Sequence, residues 1–157
     1  MTNPVVAVMG SGDIAFDVEM ATRAELFDRL AAMLAHGSRP TRAEVVAGLS
    51  AREELGSTAV GYGIAIPHAR MPQCAAPAAA LVRLRTGIPF GAPDGKPVSL
   101  FLGLIVPQDA NQQHLKLLAT AAAMFSDRGV REGLRVARDP ATAMGLLAAW
   151  PGVRPPQ

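Results

Sequence analysis

One histidine in this chain follows a pattern that suits group-transfer chemistry. His68 comes directly after Pro67 and the apolar run Ile64-Ala65-Ile66, and glycines precede that run. An apolar run stiffened by proline predicts a short buried strand with the imidazole presented at its end. An imidazole nitrogen that is neutral near pH 7 is a competent nucleophile and leaving group. We therefore predict that His68 is the nucleophile of a group-transfer step.

A second motif, near the N-terminus, points to different chemistry. Gly10-Ser11-Gly12-Asp13-Ile14-Ala15 fits the pattern G-x-G-x-x-A, which dinucleotide-binding proteins use to hold a pyrophosphate. That fingerprint requires a helix that begins at the glycines, whereas residues 14–18 alternate like a strand. A small dinucleotide-binding module built on Gly10 and Gly12 is therefore a remote alternative.

The composition indicates one folded domain. Half of the 157 residues are hydrophobic and 18% are charged, so a substantial core can form. The 15 basic and 13 acidic residues form no basic block, which argues against nucleic-acid binding. Cys74, the only cysteine, has no partner for a disulfide or a structural zinc site. The sequence contains neither a signal peptide nor a membrane-spanning stretch, so we expect a cytoplasmic protein without direct membrane insertion.

Apolar periodicity and capping residues predict five helices. Thr22 and Thr41 each stand three residues before a glutamate, the pattern of a capping box. The first helix should end at His36-Gly37, and we assign no chemistry to His36. The second should run from Thr41 to Leu49. The others are expected at 112–125, 129–137 and 140–150, and the inner face of the first of these three should be Leu115, Leu118, Ala119, Ala122 and Phe125.

Strands are predicted between these helices. The most continuous apolar run, 98–106, should be a central strand buried on both faces. Further strands are expected at 14–18, before His68 and at 79–84, and residues 4–9 should form a short strand or an extended arm. The Asp94-Gly95 turn should join neighbouring antiparallel strands.

These elements predict an α/β fold. We expect a small mixed parallel and antiparallel sheet of about five strands, covered by helices on both faces. Residues 1–13 should form an N-terminal arm, 14–150 the domain, and 151–157 a flexible tail.

Four short motifs occur along the chain: Arg52-Glu53-x-x-Gly56-Ser57-Thr58, Gly63-Ile64-Ala65-Ile66-Pro67-His68, Asp94-Gly95-x-Pro97-Val98, and Val106-Pro107 followed by His114-Leu115. Together they resemble the IIA component of the bacterial phosphotransferase system, in its type-2 family of fructose, mannitol and nitrogen-regulatory proteins. The resemblance covers about residues 14–150, in the family's order and approximate spacing. The arm through Gly12 departs from it.

The resemblance implies a role for three residues, and two more lie in the same motifs. His68 matches the histidine that accepts the phosphoryl group, through Nε2, and Arg52 and His114 match the residues that flank it. The planar guanidinium of Arg52 can hold two phosphoryl oxygens, and the start of a helix near His114 favours an anion. Ser57 and Thr58 either donate hydrogen bonds near the phosphate or only shape the turn.

Structural alternatives stay open for two of these residues. Arg52 could pair with Glu53 or Glu54 at the surface, and His114 could cap its helix or be solvated. Arg70 is close to His68 in sequence, and we assign it no role. The resemblance implies neither a metal nor another cofactor, since phosphoryl transfer mainly requires positioned groups and balanced charge.

The implied function is that of a phosphocarrier whose partner is an HPr-type carrier protein. We favour a regulatory IIA of the nitrogen branch, whose phosphorylation controls which target proteins it binds, because the chain carries no attached IIB, IIC or HPr-like segment. A fructose- or mannitol-type IIA that passes phosphate to a IIB partner is the alternative.

Overall fold

The computed structural model describes residues 3–35, 40–72 and 74–152. The predicted helix end at His36-Gly37 and residues 153–157 of the predicted tail lie outside these ranges. The described helices are α1 (Pro4–Ala7), α2 (Arg23–Leu34), α3 (Arg42–Glu54), α4 (Asn111–Ser126), α5 (Arg128–Val136) and α6 (Pro140–Ala149). The described strands are β1 (Ile14–Val18), β2 (Ala59–Gly61), β3 (Ile64–Ala65), β4 (His68–Met71), β5 (Ala78–Ile88) and β6 (Val98–Pro107).

The apolar strand β6 lies at the centre of the sheet. The strand order is β1-β5-β6-β3-β2, and β4 also pairs with β6. Leu100 and Leu104 face a core shared with α4, α5 and α6, whereas Phe101 and Ile105 face a core shared with α2 and α3. The mixed sheet covered on both faces is therefore confirmed, with six described strands instead of about five. The antiparallel pairing of β5 with β6 across the Asp94-Gly95 turn is also confirmed.

His68 begins a strand, which differs from the prediction that it ends one. Both β3 and β4 run parallel to β6 in one continuous register, with Ile64 opposite Leu100 and His68 opposite Leu104. The interruption falls at Pro67, which has no N–H for the ladder, although its carbonyl still accepts from Leu104 N at 2.9 Å. Pro67 therefore interrupts the pairing of this segment with β6, and His68 is the first residue of the second strand, β4.

The helix α3 is longer than the sequence pattern indicated. Its capping box, with Thr41 at the N-cap and Glu44 three residues later, is confirmed. The predicted end at Leu49 is wrong, because the helix continues to Glu54 and stops before Gly56, whose φ is +148°. Arg52 thus lies in the last helical turn, where a cation is favourable to the helix dipole.

The helix α4 is rotated relative to the predicted inner face. Its buried residues are His114, Leu117, Ala121, Met124 and Phe125, whereas Leu115 is 63% exposed. The alanine-rich sequence is apolar on most sides of the helix, so periodicity alone does not identify the face that packs. The rotation turns His114 toward the sheet.

The N-terminal segment packs on the domain as a short helix. Residues 4–7 form α1, capped by the Asn3 side chain, and Val5 is fully buried, so the predicted strand or extended arm is wrong. Gly10 precedes a single 3₁₀ turn, Ser11–Asp13, which contains Gly12, and β1 follows directly. A dinucleotide fingerprint needs the opposite order, a strand before the glycines and a helix after them, so the structure contradicts that alternative. The division of the chain at residue 14 stays a prediction.

Candidate active site

The ring of His68 is held in one tautomer by a hydrogen-bond acceptor on one nitrogen and a hydrogen-bond donor on the other. Its Nδ1 lies 2.8 Å from the carbonyl oxygen of Ile66, and its Nε2 lies 3.2 Å from Nε of Arg52. A carbonyl can only accept and a guanidinium can only donate. Nδ1 therefore carries the proton, and Nε2 presents its lone pair.

Arg52 reaches His68 from the end of α3. Its Nη1 donates to the carbonyl oxygen of Gly56 at 2.8 Å while its Nε donates to the imidazole. Glu53 turns into the protein instead, and is only 5% exposed. These contacts of Arg52, with His68 and Gly56, differ from the surface ion pair with Glu53 or Glu54 that the sequence left open.

His114 lies in the first turn of α4 and is only 9% exposed. Its Nδ1 accepts a hydrogen bond from Nε of Arg70 at 2.8 Å, so the proton must sit on Nε2. That Nε2 is buried and has no hydrogen-bond partner among the residues that the structure describes. The rings of His68 and His114 are 5.4 Å apart and meet at 62°. The structure thus brings together His68, Arg52 and His114, and leaves one N–H without an acceptor beside His68.

Arg70 belongs to the same cluster, which sequence reasoning missed. It lies two residues after His68 on β4, and alternate residues of a strand point to the same face. The intervening residue, Ala69, packs into the opposite core together with Met71. Strand alternation after His68 was the signal that could have identified Arg70.

The predicted phosphate contacts Ser57 and Thr58 lie in the turn that follows α3. The hydroxyl of Ser57 donates to the carbonyl of Phe90 at 2.8 Å. The amide and hydroxyl of Thr58 both donate to the buried carboxylate of Glu53, at 2.8 and 2.7 Å. Both hydroxyl groups therefore donate inside the protein, and their contact with a phosphoryl group stays a prediction.

Burial and nearby charges keep both imidazoles neutral at pH 7. Burial lowers the pKa of His68, and Arg52 adds to this shift, while the hydrogen bond to the Ile66 carbonyl opposes it. Burial also lowers the pKa of His114, and His68, Arg70 and Arg52 act in the same direction. A neutral His68 keeps the lone pair that a nucleophile needs.

Two kinds of feature, a metal-binding cluster and a membrane-spanning helix, are absent among the residues that the structure describes. Within the three described ranges, no group of three or more His, Cys, Asp or Glu side chains is arranged to hold a metal ion. No helix in the same ranges combines the length and apolarity that a membrane span requires.

Comparisons of the sequence identify relatives of known type. Residues 8–150 match the family described as "Phosphoenolpyruvate-dependent sugar phosphotransferase system, EIIA 2". A nitrogen regulatory protein of Bradyrhizobium diazoefficiens is 33% identical over 148 residues, 94% of this chain and 97% of that protein. One from Pseudomonas aeruginosa is 48% identical over 89 residues, 57% of this chain and 58% of that protein. A fructose-specific EIIA component of Haloferax volcanii is 36% identical over 97 residues, 62% of this chain and 63% of that protein.

Comparison with solved structures identifies relatives of the same kinds as the sequence comparison. The crystal structure of the nitrogen regulatory protein IIA-Ntr of Neisseria meningitidis matches with a TM-score of 0.87 and 36% identity, covering 91% of this chain and 98% of that one. Mannitol IIA of Escherichia coli, in its complex with phosphorylated IIB, matches with a TM-score of 0.76 at 20% identity, covering 88% and 96%, which shows a shared fold. With the described fold and the match over residues 8–150, the chain belongs to the EIIA 2 family of the phosphoenolpyruvate-dependent sugar phosphotransferase system, as its motifs predicted.

Proposed function

We propose that this chain is a transient phosphohistidine carrier, in which Nε2 of His68 accepts a phosphoryl group from the phosphohistidine of an HPr-type protein. One observation carries the proposal. The Ile66 carbonyl holds the proton on Nδ1, so Nε2 is the unprotonated nitrogen and faces a guanidinium. This is the arrangement of a nucleophile poised beside a fixed cation.

In the proposed step, the bonds and charges balance between the two histidines, and no further reactant is needed. The N–P bond of the donor phosphohistidine breaks while a bond forms between phosphorus and Nε2 of His68. The electron pair of the broken bond returns to the donor imidazole, which leaves as a neutral ring when its other nitrogen carries a proton. Positive charge that develops on the His68 ring is shared with Nδ1–H, and the Ile66 carbonyl stabilises it.

Two groups then stabilise the transferred phosphoryl oxygens. In the proposed step the N–H of Arg52 that contacts Nε2 turns to a phosphoryl oxygen, while its bond to Gly56 keeps the side chain in place. The unpartnered Nε2–H of His114 donates to another oxygen. Such preorganised donors are the main contribution a protein makes to phosphoryl transfer.

Within the family we favour the nitrogen regulatory branch, which would make target proteins the partners that respond to the phosphorylation state. The support is the likeness to nitrogen regulatory proteins over nearly the whole chain at 33% identity and over nearly the whole structure at 36% identity. We also propose a cytoplasmic location, as the sequence predicts.

A sugar-transport role is the second candidate. The fructose-specific relative and the mannitol fold match support it. In that role the phosphoryl group passes from His68 to a IIB partner, the class of protein that is complexed with mannitol IIA in the matching structure.

Transfer from a reconstituted donor chain tests the proposal. The protein is incubated with labelled phosphoenolpyruvate, Enzyme I and an HPr-type carrier, with His68→Ala and His36→Ala compared. We expect label on the wild type and on His36→Ala, and none on His68→Ala. Adding fructose- and mannitol-type IIB domains separates the branches: rapid loss of label to a IIB domain supports transport, and retention supports regulation. An unlabelled wild type under conditions that charge the carrier contradicts the proposal.

A further inference from the structure

Arg70 joins the strand that bears His68 to the helix that bears His114. Its Nε donates to Nδ1 of His114, and its Nη1 donates to the side-chain oxygen of Asn111 at the start of α4. The guanidinium thus uses two directions of its planar fork on two residues one turn apart. A lysine ammonium, which is a point charge on a flexible stem, lacks this fixed pair of donors.

These contacts decide which nitrogen of His114 carries the proton. A guanidinium cannot accept, so Arg70 excludes the tautomer with a proton on Nδ1. The proton on Nε2 is then buried with no partner in the described part of the chain, and an unsatisfied buried donor costs about 1–3 kcal/mol. Native structures rarely leave such a group orphaned without a reason, and an incoming ligand is one such reason.

The position of His114 indicates what that ligand offers. Its ring lies 5.4 Å from the ring of His68, close enough for a phosphoryl group on His68 to meet an N–H of His114. A phosphoryl oxygen only accepts hydrogen bonds, so it complements the N–H of Nε2 and would be repelled by a lone pair.

We propose that Arg70 is a positioning residue, which holds His114 in the tautomer and orientation that donate Nε2–H to a phosphoryl oxygen at His68. The inference rests on the proposed phosphocarrier function. Arg70 acts through His114, and Asn111 fixes Arg70 in turn.

Nitrogen NMR of the histidine rings tests the positioning directly, because ring ¹⁵N shifts report which nitrogen carries the proton. The full chain is compared as wild type, Arg70→Met and Arg70→Lys. Arg85→Met serves as a matched control, because Arg85 is a strand arginine that is 64% exposed and loosely paired with Glu19 at 3.7 Å. Thermal unfolding confirms that each variant is folded, which the exposure of Arg70 favours.

In the wild type we expect Nδ1 of His114 to be an unprotonated, hydrogen-bonded acceptor. In Arg70→Met that signal should move, and phosphoryl transfer to His68 should slow about tenfold, the effect of losing a charge-assisted hydrogen bond. Arg70→Lys should recover part of the rate, and Arg85→Met should change neither readout.

Three results overturn the inference: a proton on Nδ1 of His114 in the wild type, a His114 spectrum that Arg70→Met leaves unchanged, or a moved signal with a full transfer rate. Failure of the proposed function looks different. In that case the wild type takes no label from a charged carrier, while the NMR comparison still reports whether Arg70 sets the His114 tautomer.

Discussion

The imidazole rings of His68 and His114 meet edge to face, 5.4 Å apart, and each accepts a hydrogen bond from its own arginine. The two rings nevertheless present opposite groups. His68 carries its proton on Nδ1, whereas His114 carries its proton on Nε2. The pair therefore combines one potential nucleophile with one potential donor, and this difference is the basis of the proposed mechanism.

The neutrality of the two histidines makes a prediction about stability and pH. Burial lowers the pKa of both groups, so between the folded pKa and the unfolded value of about 6.5 the unfolded chain binds more protons. Their contribution to stability is therefore present above pH 6.5 and is lost as the pH falls below it. Urea unfolding at pH 8.0 and 5.5 should show a lower free energy of unfolding at pH 5.5. In the double variant His68→Gln, His114→Gln this difference should shrink, and an equal difference in both proteins would contradict the assignment.

Replacing Arg52 should separate its charge from its geometry. Arg52→Ala removes a charge-assisted hydrogen bond to His68, so phosphoryl transfer should slow by about 10- to 100-fold. Arg52→Lys keeps the charge but cannot contact His68 and Gly56 together, so an intermediate rate is expected. Single-turnover transfer from a charged carrier measures both rates. A lysine variant as slow as the alanine variant would show that geometry outweighs charge, and two unchanged rates would remove Arg52 from the site.

The turn after α3 yields a prediction that distinguishes structure from catalysis. Thr58→Val removes a donor from the buried carboxylate of Glu53 and should lower the free energy of unfolding by about 1–3 kcal/mol. Ser57→Ala removes a neutral hydrogen bond to the Phe90 carbonyl and should cost about 1 kcal/mol. We expect folded samples of both variants to keep most of their transfer rate. A large loss of rate with unchanged stability would instead assign that hydroxyl to the phosphate.

Two glycines should respond in opposite ways to alanine. A Cβ on Gly103 of β6 would lie 3.0 Å from the nearest methyl of Leu30, inside a packed core, so Gly103→Ala should destabilise the fold by about 1–3 kcal/mol. A Cβ on Gly145 of α6 would meet no described atom within 4 Å, so Gly145→Ala should stabilise the fold by about 0.5–1 kcal/mol. Denaturant melts measure both changes. A neutral Gly103→Ala would show that α2 moves easily away from the sheet.

The parts of the fold that local chemistry dictates were predictable. Thr41 with Glu44 predicted the start of α3, Asp139 before Pro140 suits the start of α6, and an unbroken apolar run predicted β6. The orientation of α4 was not predictable in this way. Its alanines are small and apolar on most sides, so the contact with the sheet, and not the helix's own sequence, decides that His114 is buried and Leu115 exposed.

The residues of the site likewise fall into some that local sequence predicted and one that depends on tertiary contacts. The pattern before His68 and the family motifs identified three of the residues that the structure brings together, His68, Arg52 and His114. Arg70 was missed because its importance depends on a contact 44 residues away in sequence, which exists only once β4 and α4 are packed. The tautomers are likewise set by tertiary partners and have no signature in the sequence.

Mapping the phosphate after transfer tests the central claim most directly. The wild-type protein is charged by an HPr-type carrier, kept under conditions that preserve acid-labile phosphoramidate, and analysed by mass spectrometry, with ¹⁵N–³¹P coupling used to assign the bonded nitrogen. We predict a single phosphoryl group on Nε2 of His68. Phosphate on His114, on Nδ1 of His68 or on any other residue would contradict this account.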